Sequence, residues 1–101
     1  PEKMVICGDF NFTLDSVSYQ RMTAPFPDKI PDLFDAWNVV NPDGNRSPTC
    51  GVFDHKQWKN GPHCRDYFFL SENLIQQIQE VSVNTKTNAS DHQPIRLILG
   101  V

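Results

Sequence analysis

The chain lacks several features that would assign it to a particular class of protein. Its 101 residues contain no apolar run long enough to cross a bilayer, no visible signal peptide, no run of basic residues and no internal repeat. These absences argue against a membrane segment in this chain and against a nucleic-acid coat protein. With 39% hydrophobic residues, residues 1–101 can form one small domain around a single core.

Cysteine is also scarce, and its distribution indicates a compartment. Three cysteines are present, an odd number without C-x-x-C spacing, which argues against a disulfide framework and favours a reducing compartment. We therefore expect a cytoplasmic protein, and we expect Cys7 and Cys64 to be small core residues. Because the chain begins at Pro1 instead of an initiator methionine, we expect it to be a piece of a longer protein.

The net charge is slightly negative, at −3. Three aspartates, Asp9, Asp66 and Asp91, would by themselves account for that excess. A group of carboxylates on an otherwise neutral chain suits a divalent cation. The same net charge is also ordinary for a soluble protein, so the charge alone does not decide between these interpretations.

Hydrophobic patterning in the first half of the chain predicts one strand and two helices. Residues 3–10 are nearly all apolar, which predicts a strand that is buried on both faces. Residues 15–22 predict a short helix that is capped by Asp15 or Ser16. A second helix is predicted to begin at Pro31, because an apolar stripe at helical spacing follows it.

The second half of the chain consists mainly of predicted strands. Their ranges are 49–57, 64–70, 78–85 and 94–99, with a short helix or turn near 72–75. Asn60-Gly61 lies between the first two of these strands and is a strong hairpin signal. Together the elements predict an α+β domain with one mostly antiparallel sheet and helices on one of its faces.

Three short motifs carry the polar chemistry. They are Gly8-Asp9-Phe10-Asn11, Asp66-Tyr67 and Ser90-Asp91-His92-Gln93-Pro94. Taken alone, Asp9 and Asn11 are compatible with a simple strand-ending turn. Asp66 is harder to explain in that way, because a carboxylate buried in an apolar strand needs a partner, and His92 is the obvious one. If these groups converge, they can hydrolyse a phosphate ester with the help of a metal ion.

In this order and spacing the three motifs resemble those of the endonuclease/exonuclease/phosphatase superfamily. That superfamily includes pancreatic-type deoxyribonucleases, abasic-site endonucleases, sphingomyelinases and inositol polyphosphate phosphatases. The resemblance implies a four-layer α/β/β/α sandwich, of which residues 1–101 would be the C-terminal half. It also implies a divalent-metal-dependent phosphoesterase that uses Mg2+ or Mn2+, with nuclease-like phosphodiester hydrolysis as the expected activity.

The resemblance implies a role for each motif residue as well. Asp9 would orient the attacking water, and Asn11 would bind the phosphoryl oxygens of the substrate. Asp66 would orient His92, and His92 would donate a hydrogen bond to a phosphoryl oxygen. Asp91 would lie near the metal. Elementary chemistry supports these roles, because a carboxylate can position a water, and pairing with a buried carboxylate fixes the tautomer of a histidine and favours its charged form.

One departure from the family pattern concerns an arginine. Many family members carry an arginine two residues before the strand aspartate, where this chain has Cys64. The arginine here is Arg65, directly beside Asp66. Alternation along a strand sends neighbouring side chains to opposite faces, so a substrate contact by Arg65 is not expected.

A second departure concerns the metal ligands. The family's metal-binding glutamate lies in its N-terminal half, and none of Glu2, Glu72 and Glu80 stands in a matching context. We therefore expect the isolated chain to bind magnesium poorly and to turn over little substrate. The expected partners are a phosphate ester such as a nucleic acid, and the missing N-terminal half. A second copy of this chain, packed on the exposed inner sheet face, is a further expected partner.

Other interpretations remain open at this point. A catalytically inactive half-domain that serves as a protein-interaction module is the alternative function. A zinc site is suggested by the residue types Cys50, His55, His63 and Cys64, although His63 and Cys64 are adjacent in a predicted strand and would point apart. Trp58 is flanked by Lys56 and Lys59 in a predicted loop, where it can stack on a base or cover its own hairpin.

Overall fold

The computed structural model describes residues 3–27 and 31–100. In this part of the chain the elements are, in order, β1 (Val5–Asp9), α1 (Val17–Thr23), β2 (Leu33–Asp35), α2 (Ala36–Val40), β3 (Asp66–Ser71), a 3-10 helix (Glu72–Gln77), β4 (Ile78–Val83) and β5 (Ile95–Leu99). All strand pairs are antiparallel, so the predicted α+β class is confirmed. No helix among the described residues is long and apolar enough to cross a membrane.

The strands form two small sheets instead of the single sheet predicted. β3 lies between β1 and β2 in a three-stranded sheet, and β4 pairs with β5 in a two-stranded sheet. The β4–β5 register shifts between Ile78 and Glu80. Such an irregularity increases the local twist of a strand pair.

β1 forms where it was predicted, but the prediction that both its faces are buried is wrong. Val5 and Ile6 are 43% and 36% exposed, and Cys7 is exposed too, contrary to its expected core position. β1 pairs only with β3 and forms the edge of its sheet. Among the residues 3–27 and 31–100, nothing covers these apolar side chains enough to bury them.

The first helix agrees with prediction and the second does not. Ser16 caps α1, because its Oγ accepts a hydrogen bond from the Tyr19 N–H at 3.1 Å. The helix predicted from Pro31 is wrong over its first turn, since Leu33–Asp35 is a strand that pairs with β3. Pairing with a buried strand prevails over the helical periodicity there. Asp35 then caps the short α2, with its Oδ1 accepting from the Trp37 N–H at 3.1 Å.

Residues 49–57 form a loop, so the strand predicted there is wrong. Cys50 makes isolated bridges with His63 and His92, and the pairing ends at the next residue. Gly51 has a positive φ of 75°, and a Cβ at this position would collide with the Gly61 carbonyl oxygen. This close approach bends the chain away, and the predicted Asn60-Gly61 turn therefore joins loop segments instead of two strands.

Two hydrophobic clusters lie on opposite faces of β3, because alternate residues of the strand belong to each. The first contains the buried residues Tyr19, Leu33, Cys64, Tyr67 and Phe69, with Phe10 and Phe12 packed against it. The second contains Ala36, Leu70 and Leu74, with Phe68 packed against it. Cys64 is a core residue as expected. The clusters fix β3 from both sides, and so they fix Asp66 at its first position.

Candidate active site

Three of the predicted functional side chains converge where β1 ends and β3 begins. The antiparallel register places Asp9 directly opposite Asp66. His92 comes from the loop before β5, which is held by a hydrogen bond from the Gln93 N–H to the Thr49 carbonyl at 2.6 Å. One ligand atom from each of Asp9, Asp66 and His92 lies within 4.8 Å of the others. These three residues therefore form one polar group.

Asp66 and His92 form a direct pair. His92 Nδ1 lies 2.8 Å from Asp66 Oδ2, and since an ionised carboxylate only accepts, Nδ1 carries the proton. Asp66 is 9% exposed, so this hydrogen bond supplies the partner that its burial requires. The pair fixes the orientation of the imidazole and leaves Nε2 on the other side of the ring.

Asp9 faces that free nitrogen. Its Oδ2 lies 3.7 Å from His92 Nε2, and its side chain is 49% exposed. This separation is too long for a direct hydrogen bond. An oxygen atom of water or of a ligand beside both groups can bridge them, so the arrangement has an open position between an acceptor and a donor.

The surroundings of His92 favour its charged form. Burial alone would lower its pKa, but the hydrogen bond with Asp66 and the charges of Asp66, Asp9 and Asp91 outweigh it, and the pKa is raised above its ordinary value. A larger fraction of His92 is therefore protonated at neutral pH than for a free histidine. A protonated His92 presents an Nε2–H donor on the side of Asp9.

Asn11 lies at the same end of the sheet, and it is held by a residue that sequence reasoning missed. Its N–H donates to Asp9 Oδ1 at 2.8 Å, and its Oδ1 accepts from Arg65 Nη1 at 2.9 Å. Arg65 was expected to point away from Asp66 by alternation. The alternation rule does not apply to Arg65, because β3 begins only at Asp66 and Arg65 precedes the strand. That Arg65 makes no substrate contact stays a prediction. The signal in the sequence was the arginine itself, beside the strand aspartate.

Asp91 stands apart from the convergent group. It is exposed, and its Oδ1 accepts a hydrogen bond from Ser90 Oγ at 3.3 Å. It is not one of the three residues whose ligand atoms come together. Its charge nevertheless reaches His92, since it contributes to the raised pKa of the imidazole.

A cleft of about 890 Å³ lies beside the site. Its walls include Leu14, Trp58, Lys59, His63 and Arg65. The Trp58 ring packs edge-on against His63 and His92, with centroids 4.9 and 6.2 Å apart. Trp58 therefore lies against the candidate site, and its buried Nε1 has no hydrogen-bond partner among the described residues.

The side chains that suggested zinc make other contacts. Cys50 Sγ lies 3.2 Å from His63 Nε2, whereas Cys64 Sγ donates to the Ser47 carbonyl at 3.3 Å. Burial raises the pKa of the Cys50 thiol to about 11. Among the described residues, the ligand atoms of Cys50, His55, His63 and Cys64 do not come together in a group of three or more, so both cysteines act as small buried side chains.

The fold and the site together define a class of protein: an antiparallel α+β domain with an aspartate–histidine pair facing a second aspartate, as in a hydrolase. A profile of the Endonuclease/Exonuclease/phosphatase family matches residues 1–92. The chain belongs to this family, which confirms the resemblance of its motifs. The family consists of nuclease-type and phosphatase-type hydrolases and generally depends on divalent metals.

A curated relative is also a nuclease by name. The chain is 26% identical, over an alignment of 118 residues, to a protein named exodeoxyribonuclease from Bacillus subtilis (strain 168). The alignment covers 97% of this chain and 45% of the relative. The chain thus spans about half the length of the curated relative that it matches.

Proposed function

We propose that this chain belongs to a divalent-metal-dependent phosphoesterase that hydrolyses phosphodiesters, including nucleic acids. The chain would carry the residues that position the attacking water and that donate a hydrogen bond to the phosphoryl group. The observation that carries the proposal is the Asp66–His92 pair at 2.8 Å, with an exposed Asp9 carboxylate 3.7 Å from the free imidazole nitrogen. The name of the bacterial relative, exodeoxyribonuclease, supports a phosphodiester of DNA as the substrate class.

In this proposal His92 acts on the phosphoryl group. A phosphodiester carries negative charge on its oxygens, and preorganised donors aimed at those oxygens stabilise the transition state. A charged His92 donates from Nε2, while Asp66 holds Nδ1 and compensates the charge. The raised pKa of His92 supports this role, because the donor form is then more populated at neutral pH than in a free histidine.

Asp9 positions the attacking water and accepts its proton. One of its oxygens is held by the Asn11 N–H, and the other is available to accept a hydrogen bond from water. As the water oxygen bonds to phosphorus, its proton passes to the Asp9 carboxylate, and the ester oxygen leaves with its bonding electrons. Asn11 adds a second donor to the phosphoryl oxygens through its side-chain amide.

The carboxylate oxygens of the site suit a hard cation that needs few protein ligands. Mg2+ is usually held by one or two carboxylates, with water and substrate phosphates completing its shell. Asp9 would contact the ion, because Asp66 is committed to His92. Asp91 would lie near the ion, outside the convergent group, and would contribute its charge. Bound there, Mg2+ or Mn2+ supplies positive charge to the phosphoryl oxygens. With so few carboxylates, we expect the 101-residue chain alone to bind the ion weakly and to show little turnover.

The test is hydrolysis of bis(4-nitrophenyl) phosphate with Mg2+ by the full-length protein, comparing wild type with His92→Ala. Loss of a general acid or donor of this kind lowers turnover by about 10²- to 10⁴-fold. His55→Ala is the matched control, since His55 is an exposed loop histidine and its loss should leave turnover unchanged. Equal rates in wild type and His92→Ala would contradict the proposal.

The exposed strand β1 supports a second part of the proposal, that the rest of the domain covers this chain. Val5 and Ile6 present apolar surface at a sheet edge, and such edges are normally covered or paired. The relative is about twice as long as the matched segment, so the proposed occupant is the remaining part of that domain. This would complete the sandwich expected from the resemblance.

Sedimentation separates the possible occupants. We expect the full-length protein to sediment as a monomer without binding a hydrophobic-surface dye. The 101-residue chain alone should bind dye, or form a homodimer through β1. A clean monomer of the 101-residue chain without dye binding would contradict a partner on this face. A full-length protein that keeps this interface but shows no hydrolysis would favour the interaction-module alternative.

A further inference from the structure

Asn11 adopts an unusual backbone conformation. Its φ is 54°, and it is the only residue other than glycine with a positive φ in the described part of the chain. Asparagine tolerates this left-handed region better than most residues, but the conformation persists only where neighbouring groups hold it. The contacts of Asn11 therefore show which residues fix the position of its side chain.

Two residues hold Asn11. The Asp9 carboxylate accepts its backbone N–H at 2.8 Å. Arg65 Nη1 donates both to the Asn11 backbone carbonyl at 3.2 Å and to its side-chain Oδ1 at 2.9 Å. A single guanidinium nitrogen thus bridges the main chain and the side chain of Asn11.

This contact determines which way the Asn11 amide faces. A guanidinium has only donors, so the amide atom that contacts Arg65 must be the oxygen. The amide nitrogen then points away from Arg65 with both of its hydrogens, and it makes no hydrogen bond within the described residues. Without Arg65 the amide can rotate and offer its oxygen, which would repel a phosphoryl oxygen.

Arg65 is itself fixed from two sides. Its Nε donates to His63 Nε2 at 2.8 Å, and its guanidinium carbon lies 4.7 Å from the centre of the Trp58 ring. His63 Nδ1 is 2.8 Å from the Gly61 carbonyl oxygen, which only accepts. The proton of His63 therefore lies on Nδ1, and Nε2 is the acceptor for Arg65. Stacking and hydrogen bonding together preorganise the guanidinium plane.

We propose that Arg65 is a positioning residue of the active site, which orients the Asn11 amide so that its NH2 group faces the phosphoryl oxygens. The proposal rests on the phosphoester hydrolysis proposed above. It assigns a function to the arginine that lies next to the strand aspartate instead of two residues before it. Trp58 and His63 support Asn11 indirectly, through their contacts with Arg65.

Arg65→Lys tests the proposal in the full-length protein with bis(4-nitrophenyl) phosphate. One ammonium cannot contact His63 and Asn11 at once in this fork geometry. A small misplacement of a positioned group lowers rates by up to about 100-fold, so we expect kcat to fall by about 10- to 100-fold with little change in KM. The matched control is Arg96→Lys, since Arg96 is the exposed residue of strand β5; this change should leave kcat unchanged.

A double variant separates positioning from other roles. If Arg65 acts only through Asn11, then Arg65→Lys should cause no further loss in an Asn11→Ala background. Multiplying losses would overturn the proposal, because Arg65 would then contact substrate itself or support the fold. Arg65→Gln is a second variant for the same comparison. Unfolding of both Arg65 variants, judged by circular dichroism, would also overturn it.

A nuclear magnetic resonance comparison does not depend on turnover. In Arg65→Lys the side-chain amide signals of Asn11 should shift and broaden, whereas in Arg96→Lys they should match wild type. Unchanged Asn11 signals in Arg65→Lys would overturn the positioning role. Absence of hydrolysis by the wild-type protein, together with the expected Asn11 shifts, would contradict the proposed function alone.

Discussion

Two aspartate–cation pairs in this chain differ in how completely their hydrogen-bonding capacity is used. Asp35 and Arg46 lie 2.6 Å apart with side chains 1% and 10% exposed. Asp35 also accepts from the Tyr19 hydroxyl at 2.6 Å and caps α2 through the Trp37 N–H at 3.1 Å. The Arg46 guanidinium lies over the Tyr67 ring, 5.1 Å from its centre. This pair is almost completely shielded from solvent.

The Asp66–His92 pair is open by comparison. His92 is 23% exposed at its side chain, and its Nε2 faces an Asp9 carboxylate that it does not reach. A buried pair with every partner present serves the fold, because each group is already satisfied. A pair with one free donor beside one free acceptor can bind something further. Unused hydrogen-bonding capacity, more than charge, therefore distinguishes the site from the core.

The largest expected effect comes from removing the carboxylate of the open Asp66–His92 pair. Asp66→Asn leaves the imidazole without its carboxylate, and by analogy with other histidine–aspartate pairs turnover should fall by about 10⁴-fold. The pKa of His92 should fall as well, because Asp66 is the main group that raises it. The decline in activity on the alkaline side, where His92 loses its proton, should therefore move to lower pH.

The measurement is a pH–rate profile for wild type, Asp66→Asn and Asp43→Asn, the last being an exposed turn aspartate. Asp43→Asn should match wild type throughout. An alkaline limb that stays in place in Asp66→Asn would mean that another group controls it, and the open pair would lose its assigned role.

The next largest effect comes from breaking the closed pair. Arg46→Ala leaves the Asp35 charge buried without its partner, and the free energy of unfolding should fall by about 3–5 kcal/mol. Arg96→Ala removes an exposed cation that lies 3.7 Å from Glu80, and the loss should stay below about 1 kcal/mol. Urea unfolding of the two variants measures both values. Similar losses would contradict the view that Asp35–Arg46 is a structural pair.

The smallest effect is the linkage of His92 to stability. Its pKa is raised in the folded chain, so its contribution is fully present below the ordinary histidine pKa and is lost as pH rises through the raised value. The stability difference between wild type and His92→Gln should accordingly shrink from about pH 5 to about pH 9. Urea unfolding at both pH values checks this, and a difference that grows with pH would refute it.

The elements that the sequence predicts well are those whose patterns are local. β3, β5 and the cap of α1 at Ser16 follow from alternation, apolar runs and a capping side chain. Two segments do not follow from local patterns. Pairing with β3 decides the structure of the segment after Pro31, and the close approach of Gly51 to Gly61 decides the structure of residues 49–57. Both are contacts between distant parts of the chain, which override local propensity.

The candidate site shows the same difference between features that follow from local patterns and features that depend on distant contacts. Asp9, Asp66 and His92 could be predicted as neighbours, because the motifs end or begin strands and a buried carboxylate requires a partner. The Arg65–Asn11 contact could not, since the alternation rule was applied one residue beyond the true start of β3. The register of Asp9 with Asp66 and the positive φ of Asn11 become visible only in three dimensions.

Asp66 and Asp9 favour the charged form of His92 beside an open position. A nuclear magnetic resonance titration of His92 in the wild type and in Asp66→Asn tests this directly. We expect His92 of the wild type to titrate above the ordinary histidine pKa, to keep its Nδ1 proton, and to titrate at lower pH in Asp66→Asn. A His92 that titrates at or below the ordinary histidine pKa, and that is unaffected by Asp66→Asn, would contradict these roles of the two aspartates.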